Sequence, residues 1–203
     1  MTPQNKFWSW FIQHEMELFT LDLDRETERE ELFDELAREL RKVDPDITFE
    51  FGPNQARREF IISAGGIKRA FPAVASLADA APPLDRWQVT AFRPRRTPFN
   101  VVDFRGRKVD SKDVQFSLLE NGKMAGVDLF IPGFRENDAD FKQIGYLLLD
   151  EALGEYDVEF RLGLIRMLPL DIRTEGKRYP LAELPALFDQ LISRLEGRTG
   201  RPS

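Results

Sequence analysis

The sequence predicts an α+β fold: one domain of 203 residues with a mainly antiparallel β-sheet and helices packed on one face. Three observations predict it. Helical segments open and close the chain and recur twice between the strands. Segments alternating at period two fill the middle, and most are joined by connections too short for a parallel crossover. The 13 Gly and 13 Pro are dispersed, so no stretch reads as a flexible linker. No domain boundary is expected before a frayed tail at 198–203.

Each element follows from its local pattern. From Phe7 to Phe19, Phe7, Trp10, Phe11, His14 and Leu18 form one helical stripe, with Trp8, Ile12 and Phe19 on the other side, which predicts a largely buried helix. A second helix is expected from Glu26 to Val43, with acidic residues at its start and Arg41 and Lys42 at its end, the arrangement a helix dipole favours. Ile47, Phe49 and Phe51 then alternate with polar residues, and Gly52-Pro53-Asn54 turns the chain into Phe60-Ile61-Ile62, a hairpin. A short helix over Pro72–Ala80 is stopped by Pro82-Pro83.

Trp87–Phe92, Val101–Phe104 and Val114–Leu119 read as strands, with a turn at Arg105-Gly106-Arg107. Asn121-Gly122 is the strongest hairpin signal, because a tight two-residue turn needs positive φ, and it pairs Val114–Leu119 with Val127–Ile131. A helix from Phe141 to Leu153 ends at Gly154. The alternation of Tyr156, Val158, Phe160, Leu162 and Leu164 with charged residues predicts a strand over 155–165. A last helix, 185–195, ends at Gly197.

Composition excludes several functions. With no cysteine, disulfide scaffolds, thiolate zinc sites and cysteine nucleophiles are ruled out, and the single histidine rules out centres needing two imidazoles. No run approaches the about 18 apolar residues of a membrane helix, so a cytoplasmic, non-membrane protein is expected. The net charge of −6 opposes binding of polyanions, and no nucleic-acid partner is expected. The local exception lies between residues 84 and 113, where eight basic residues meet four acidic ones.

The residues that could carry chemistry are acidic. If 155–165 is a strand, Glu155, Asp157 and Glu159 share a face with carboxylates about 7 Å apart, near Asp150 and Glu151, and could collect a cation or a cationic ligand. The competing reading is the wet face of an antiparallel sheet. Arg93-Pro94-Arg95-Arg96, with Trp87 and Phe92 nearby, could hold phosphates or single-stranded nucleic acid, or could pair with acidic neighbours. Ser63-Ala64-Gly65-Gly66 lacks the spacing of a nucleotide loop and reads as a plain turn. His14 reads as a hydrogen-bonded residue of a core or its margin.

Phe7-Trp8-Ser9-Trp10-Phe11 with Glu15, then Ala80-Ala81-Pro82, Trp87 and Ala91-Phe92-Arg93-Pro94, and finally Leu149-Asp150 with Leu153-Gly154-Glu155 resemble an uncharacterised family of bacterial cytoplasmic proteins of about this length. The resemblance spans residue 7 to about 160. It implies a single full-length domain, and it marks Glu15, Trp87, Asp150, Gly154 and Glu155 for testing, without any activity, cofactor or catalytic residue to carry over.

Two functions follow as expectations. The first is a non-enzymatic binding or protein-interaction domain, a monomer or homodimer, in which a wet sheet face or an aromatic groove near Trp8, Trp10 and Trp87 receives a protein or small-molecule ligand. The second is a carboxylate-based enzyme, divalent-metal-dependent or not, acting on a small anionic substrate. There Asp150, Glu155 or Asp157 would be acid, base or ligand, and Arg93 or Arg95 would bind the anion. No cofactor and no resident metal are expected. The ligand-binding candidates are Glu15, Trp87, Arg93, Asp150, Glu155 and Asp157.

Overall fold

The computed structural model describes residues 1–21, 26–97 and 101–199, without the side chains of 26–29 and 198–199. The class is α+β with mostly antiparallel strand pairing. The chain divides into two compact units, Met1–Arg93 and Pro94–Ser203. Charge divides unevenly between them: the first has 12 basic and 17 acidic residues, and the second 17 and 18. All three tryptophans belong to the first unit and all three tyrosines to the second.

The N-terminal unit starts with α1 (Pro3–Gln13), whose first turn carries Pro3 and is capped by the Thr2 hydroxyl accepting from the Asn5 N–H at 3.2 Å. The single helix expected over Phe7–Phe19 is two. His14 leaves helical geometry (φ −105°, ψ 8°) and α2 (Glu15–Thr20) begins anew. At this joint the His14 ring stacks on Trp10 at 4.5 Å and its Nδ1 lies 2.9 Å from the Trp10 carbonyl. Helix α3 (Glu26–Arg41) follows, then β1 (Thr48–Phe51), β2 (Arg58–Ser63), α4 (Phe71–Asp79) and β3 (Trp87–Ala91). Strands β1 and β2 form the expected antiparallel hairpin, and β3 returns parallel to β2 after α4.

This unit has an aromatic core. Phe7, Trp8, Phe11, Phe60 and Trp87 are all buried. Phe11 touches both Phe60 and Trp87, with centroids 5.1 and 5.3 Å away. Such ring pairs add about 0.5–1.5 kcal/mol each beyond their buried area. The Trp8 Nε1–H donates to the Leu77 carbonyl at 2.8 Å, which fastens α1 to α4.

In the C-terminal unit β4 (Val101–Phe104) and β5 (Arg107–Asp110) form a hairpin whose two turn residues, Arg105 and Gly106, both have positive φ, the I′ pattern. A four-stranded sheet then runs in the order β8-β7-β6-β9. Its strands are β6 (Gln115–Asn121), β7 (Met124–Ile131), β8 (Leu162–Pro169) and the two-residue β9 (Tyr179–Pro180). The expected β6–β7 hairpin is present, with Asn121 paired to Met124, so the turn residues are Gly122 and Lys123. Gly122 alone has positive φ, as a II′ turn requires at its first position.

Helix α5 (Ala139–Leu153) starts at the Asp138 cap and ends at Gly154. The strand expected over 155–165 is wrong for its first seven residues: Glu155–Arg161 is helix α6, and the strand begins at Leu162. The period that decides is the helical one. Glu155, Val158 and Leu162 are buried while Tyr156 is half exposed. Asp157 meets Arg161 one turn on at 3.4 Å, and two acidic residues occupy the first turn. Strand β8 then lies parallel to β7. The last helix, α7 (Leu184–Thr199), is longer than expected, and the rest of the expected frayed tail, residues 200–203, lies outside the described residues.

One face of this sheet carries the helices. Val127, Leu129 and Ile131 of β7 join Phe116, Ile144, Leu148 and Phe188 in an aliphatic-rich core. The other face carries Asp128, held bidentately by Arg166 at 2.6 Å in both bonds, and Phe130 beneath the Arg178 guanidinium at 3.7 Å. Both units therefore share one path: an antiparallel hairpin, a helical crossover, and a strand laid parallel on the hairpin's second strand. No helix among the described residues is long and apolar enough to cross a membrane.

Candidate functional site

The six residues singled out in the sequence fall in two groups. Glu15, Trp87 and Arg93 belong to the N-terminal unit; Asp150, Glu155 and Asp157 belong to the C-terminal unit. Glu15 opens α2 and sits 3.9 Å from Arg86. Trp87 is 1% exposed and wedged among Phe11, Phe51 and Phe60, with its Nε1–H buried and without a partner among the described residues. With Trp8 buried as well, the aromatic groove expected around the tryptophans is core; Trp10 alone of the three is half-buried. Arg93 is ion-paired to Glu50.

The acidic residues do not share a strand face, because α6 winds them around a helix. Asp150 is buried in the last turn of α5, and Glu155 is buried at the first position of α6. Asp157 is taken by arginines. Its Oδ2 accepts from Arg95 at 2.7 Å, and Arg161 lies 3.4 Å from its Oδ1. Among the described residues no three acidic or imidazole side chains are grouped to hold a metal ion.

Arg95 is the hub of this region. It donates to both Asp189 oxygens at 2.8 and 2.9 Å and to the Leu153 carbonyl at 2.8 Å, besides Asp157. One side chain thus ties the end of α5 to α6 and α7. The hydrogen bonds to Asp189 hold the Arg95 pKa above its ordinary value and draw the Asp189 carboxyl below its own. Three more basic residues of the stretch are similarly engaged: Arg105 with Asp140, Arg107 with Asp138 and Asp140, and Lys108 with Asp103. These carboxylates neutralise the cations that could otherwise have held phosphates. The Ser63–Gly66 loop is a turn closed by the Gly65 N–H donating to the Ser63 hydroxyl at 2.9 Å.

A concave feature of the C-terminal unit lies elsewhere, between β6, β9 and α7. A groove of about 570 Å³ is walled by Leu118 and Leu119 of β6, Tyr179 of β9, and Leu187 and Leu191 of α7. Its polar side chains are Glu120, Gln190 and Arg194. On α7 the spacing 187, 190, 191, 194 is one helical stripe, so a single face presents two leucines, an amide and a guanidinium. Arg194 is exposed and makes no hydrogen bond or ion pair among the described residues. Lys177, exposed as well, rests its ammonium 4.5 Å from the Tyr179 ring.

Sequence reasoning missed this groove although its parts were legible. The turn at Gly122, flagged by the Asn-Gly pair, sets the end of β6, and the stripe on α7 is periodic. The missing information was that β9, a two-residue strand, covers only the start of β6. Compared with known proteins, the chain matches no protein-family model, no curated protein and no solved structure.

Proposed function

We propose that the protein is a non-enzymatic binding protein of the cytoplasm that receives a partner protein in the groove between β6, β9 and α7. The observation that carries this reading is the groove itself: a concave, half-apolar wall that also presents an exposed carboxylate, Glu120, and an exposed guanidinium, Arg194. Clustered leucines and a tyrosine supply area to desolvate, and an exposed guanidinium supplies direction. The C-terminal unit, with 17 basic and 18 acidic residues, is close to neutral and does not repel a charged partner as the chain's total would suggest. The absence of cysteine fits a reducing compartment.

The enzymatic alternative has less support. It relied on carboxylates lined up on one strand, whereas Asp157 and Asp189 are bound by Arg95 and residues 155–161 are helical. The test is site-specific photo-crosslinking in the cells that produce the protein. A benzophenone amino acid at Gln190, in the groove, should capture one predominant protein, identified by mass spectrometry. The same probe at exposed Lys142 should not, and Leu187→Glu, checked for folding by thermal melting, should abolish the capture. Equal labelling from both positions, or none from Gln190, refutes the groove as the binding site.

A further inference from the structure

Arg86, the residue before β3, reaches back to α2. Its Nη1 lies 2.8 Å from the Met16 Sδ and 3.9 Å from the Glu15 Oε1, and its guanidinium lies 6.0 Å from the Phe19 ring. Three of the six residues of α2 thus meet one side chain. The Arg86 carbonyl in turn accepts from the Arg58 N–H at 2.8 Å, which anchors this arginine to the sheet. A helix of this length has little stability of its own, so its fastenings decide how firmly it holds.

The weak member of the arrangement is the sulfur. A thioether is a poor hydrogen-bond acceptor, and here it faces the N–H of a full cation. It is also the oxidisable group. The chain has four methionines and no cysteine, so thioethers are the sulfur groups that an oxidant meets. Met16 is 51% exposed, whereas Met124 and Met167 are half-buried.

Oxidation by a peroxide supplies the acceptor that the thioether is not. A sulfur lone pair attacks one peroxide oxygen, an S–O bond forms as the O–O bond breaks, and the other oxygen takes up the proton of the first and leaves as water. The thioether loses two electrons and the peroxide is reduced by them. The sulfoxide oxygen is a far better acceptor for a guanidinium N–H than the sulfur was. In a core the new dipole would disrupt packing, but the Met16 side chain already stands in water and keeps its solvation.

We infer that Met16 is a peroxide-oxidation site, reversible by sulfoxide reduction, whose sulfoxide oxygen accepts from the Arg86 guanidinium and fastens α2 to the start of β3. The site belongs to the N-terminal unit and is independent of the groove. Its oxidation strengthens the unit, the reverse of what oxidation does to a buried methionine.

The experiment treats the protein with hydrogen peroxide for graded times and follows each methionine by peptide mass spectrometry. Met16 should be oxidised about tenfold faster than Met124 and Met167. Tryptophan-fluorescence melts, which report on this unit, should show a midpoint about 2 °C higher after oxidation. Sulfoxide reductases acting on both epimers should return it to its starting value. Met16→Leu, treated alongside, subtracts the other methionines and should show no rise. In Arg86→Ala the oxidised and untreated midpoints should coincide. Met16→Gln supplies a carbonyl acceptor without any oxidant and should melt above Met16→Leu, a comparison that holds even where Arg86→Ala does not fold. Oxidation of Met16 no faster than that of Met124 and Met167 would overturn the site. A midpoint that falls or stays level on oxidation, one that rises equally in Arg86→Ala, or equal melting of Met16→Gln and Met16→Leu would overturn the fastening by Arg86.

Discussion

Arg58, at the start of β2, is fully buried in the N-terminal unit, and replacing it with methionine tests how that unit tolerates the charge. The guanidinium donates to the Gly52 carbonyl at 3.1 Å and to the Leu18 and Phe19 carbonyls at 2.9 and 3.2 Å. The last two belong to the final turn of α2, where carbonyls lack intrahelical donors. Phe51 and Trp87 lie 4.9 and 5.9 Å from the same group. Against these gains, no carboxylate neutralises it among the described residues, its Nη2 is buried without a partner, and desolvation holds its pKa below that of a free arginine.

Methionine retains the stem and removes both sides of this balance. Each buried carbonyl left unpaired costs about 1–3 kcal/mol, and the lost ring contacts about 1 kcal/mol more. Relief of the desolvated charge returns several kcal/mol of this. The net expectation is a loss of about 2 kcal/mol for Arg58→Met. Arg58→Ala adds a cavity and should lose about 4 kcal/mol. Urea unfolding followed by tryptophan fluorescence measures this directly, since all three tryptophans report on this unit. A methionine variant as stable as the natural protein, or more so, would refute the reasoning and show that desolvation outweighs the three carbonyl bonds.

Two further outcomes follow from the C-terminal unit. Asp189, drawn below its ordinary pKa by Arg95, contributes stability that is complete above the pKa of an unfolded aspartate and is lost as pH falls through its lower folded value. Asp189→Asn should therefore cost about 0.5–1 kcal/mol at pH 7, allowing for solvent screening, and nothing once pH is below the folded pKa. Tyrosine fluorescence melts across pH would show the two curves converging on the acid side, and a constant gap would contradict the pairing. A Cβ at Gly163 would lie 2.7 Å from the Asn121 amide nitrogen and 3.1 Å from the Met124 Cβ, so Gly163→Ala should lose about 1–3 kcal/mol in the same melts.

The sequence reading succeeded where one physical signal dominated. Proline signals located α4 and a helical stripe located α5, and the glycine of Asn121-Gly122 marked the longest hairpin, whose turn falls one residue on, at Gly122-Lys123. It failed at 155–161 because Glu-Tyr-Asp-Val-Glu-Phe-Arg satisfies both periods over seven residues. The buried Glu155, Val158 and Leu162 favour the helix, and burial is a tertiary fact. The candidate site was legible only in fragments. The arginine and aspartate residues of the expected charged surfaces consume one another through Arg95, which joins positions 94 residues apart. The groove depends on how far a two-residue strand reaches, and no residue pattern states that.

The path shared by the two halves bears on folding fidelity. A refolding chain holds two hairpins, each awaiting a parallel third strand, and two crossover strands, β3 and β8, that backbone pairing alone would admit to either vacancy. Side-chain chemistry distinguishes them. The β2 vacancy is lined by Phe11 and Phe60 and accepts the Trp87 indole, whereas the β7 vacancy is lined by Val127 and Leu129 and accepts Ile165 and Met167. An aromatic interior in one half and an aliphatic one in the other thus act as an address code, returning each wandering strand to its own hairpin.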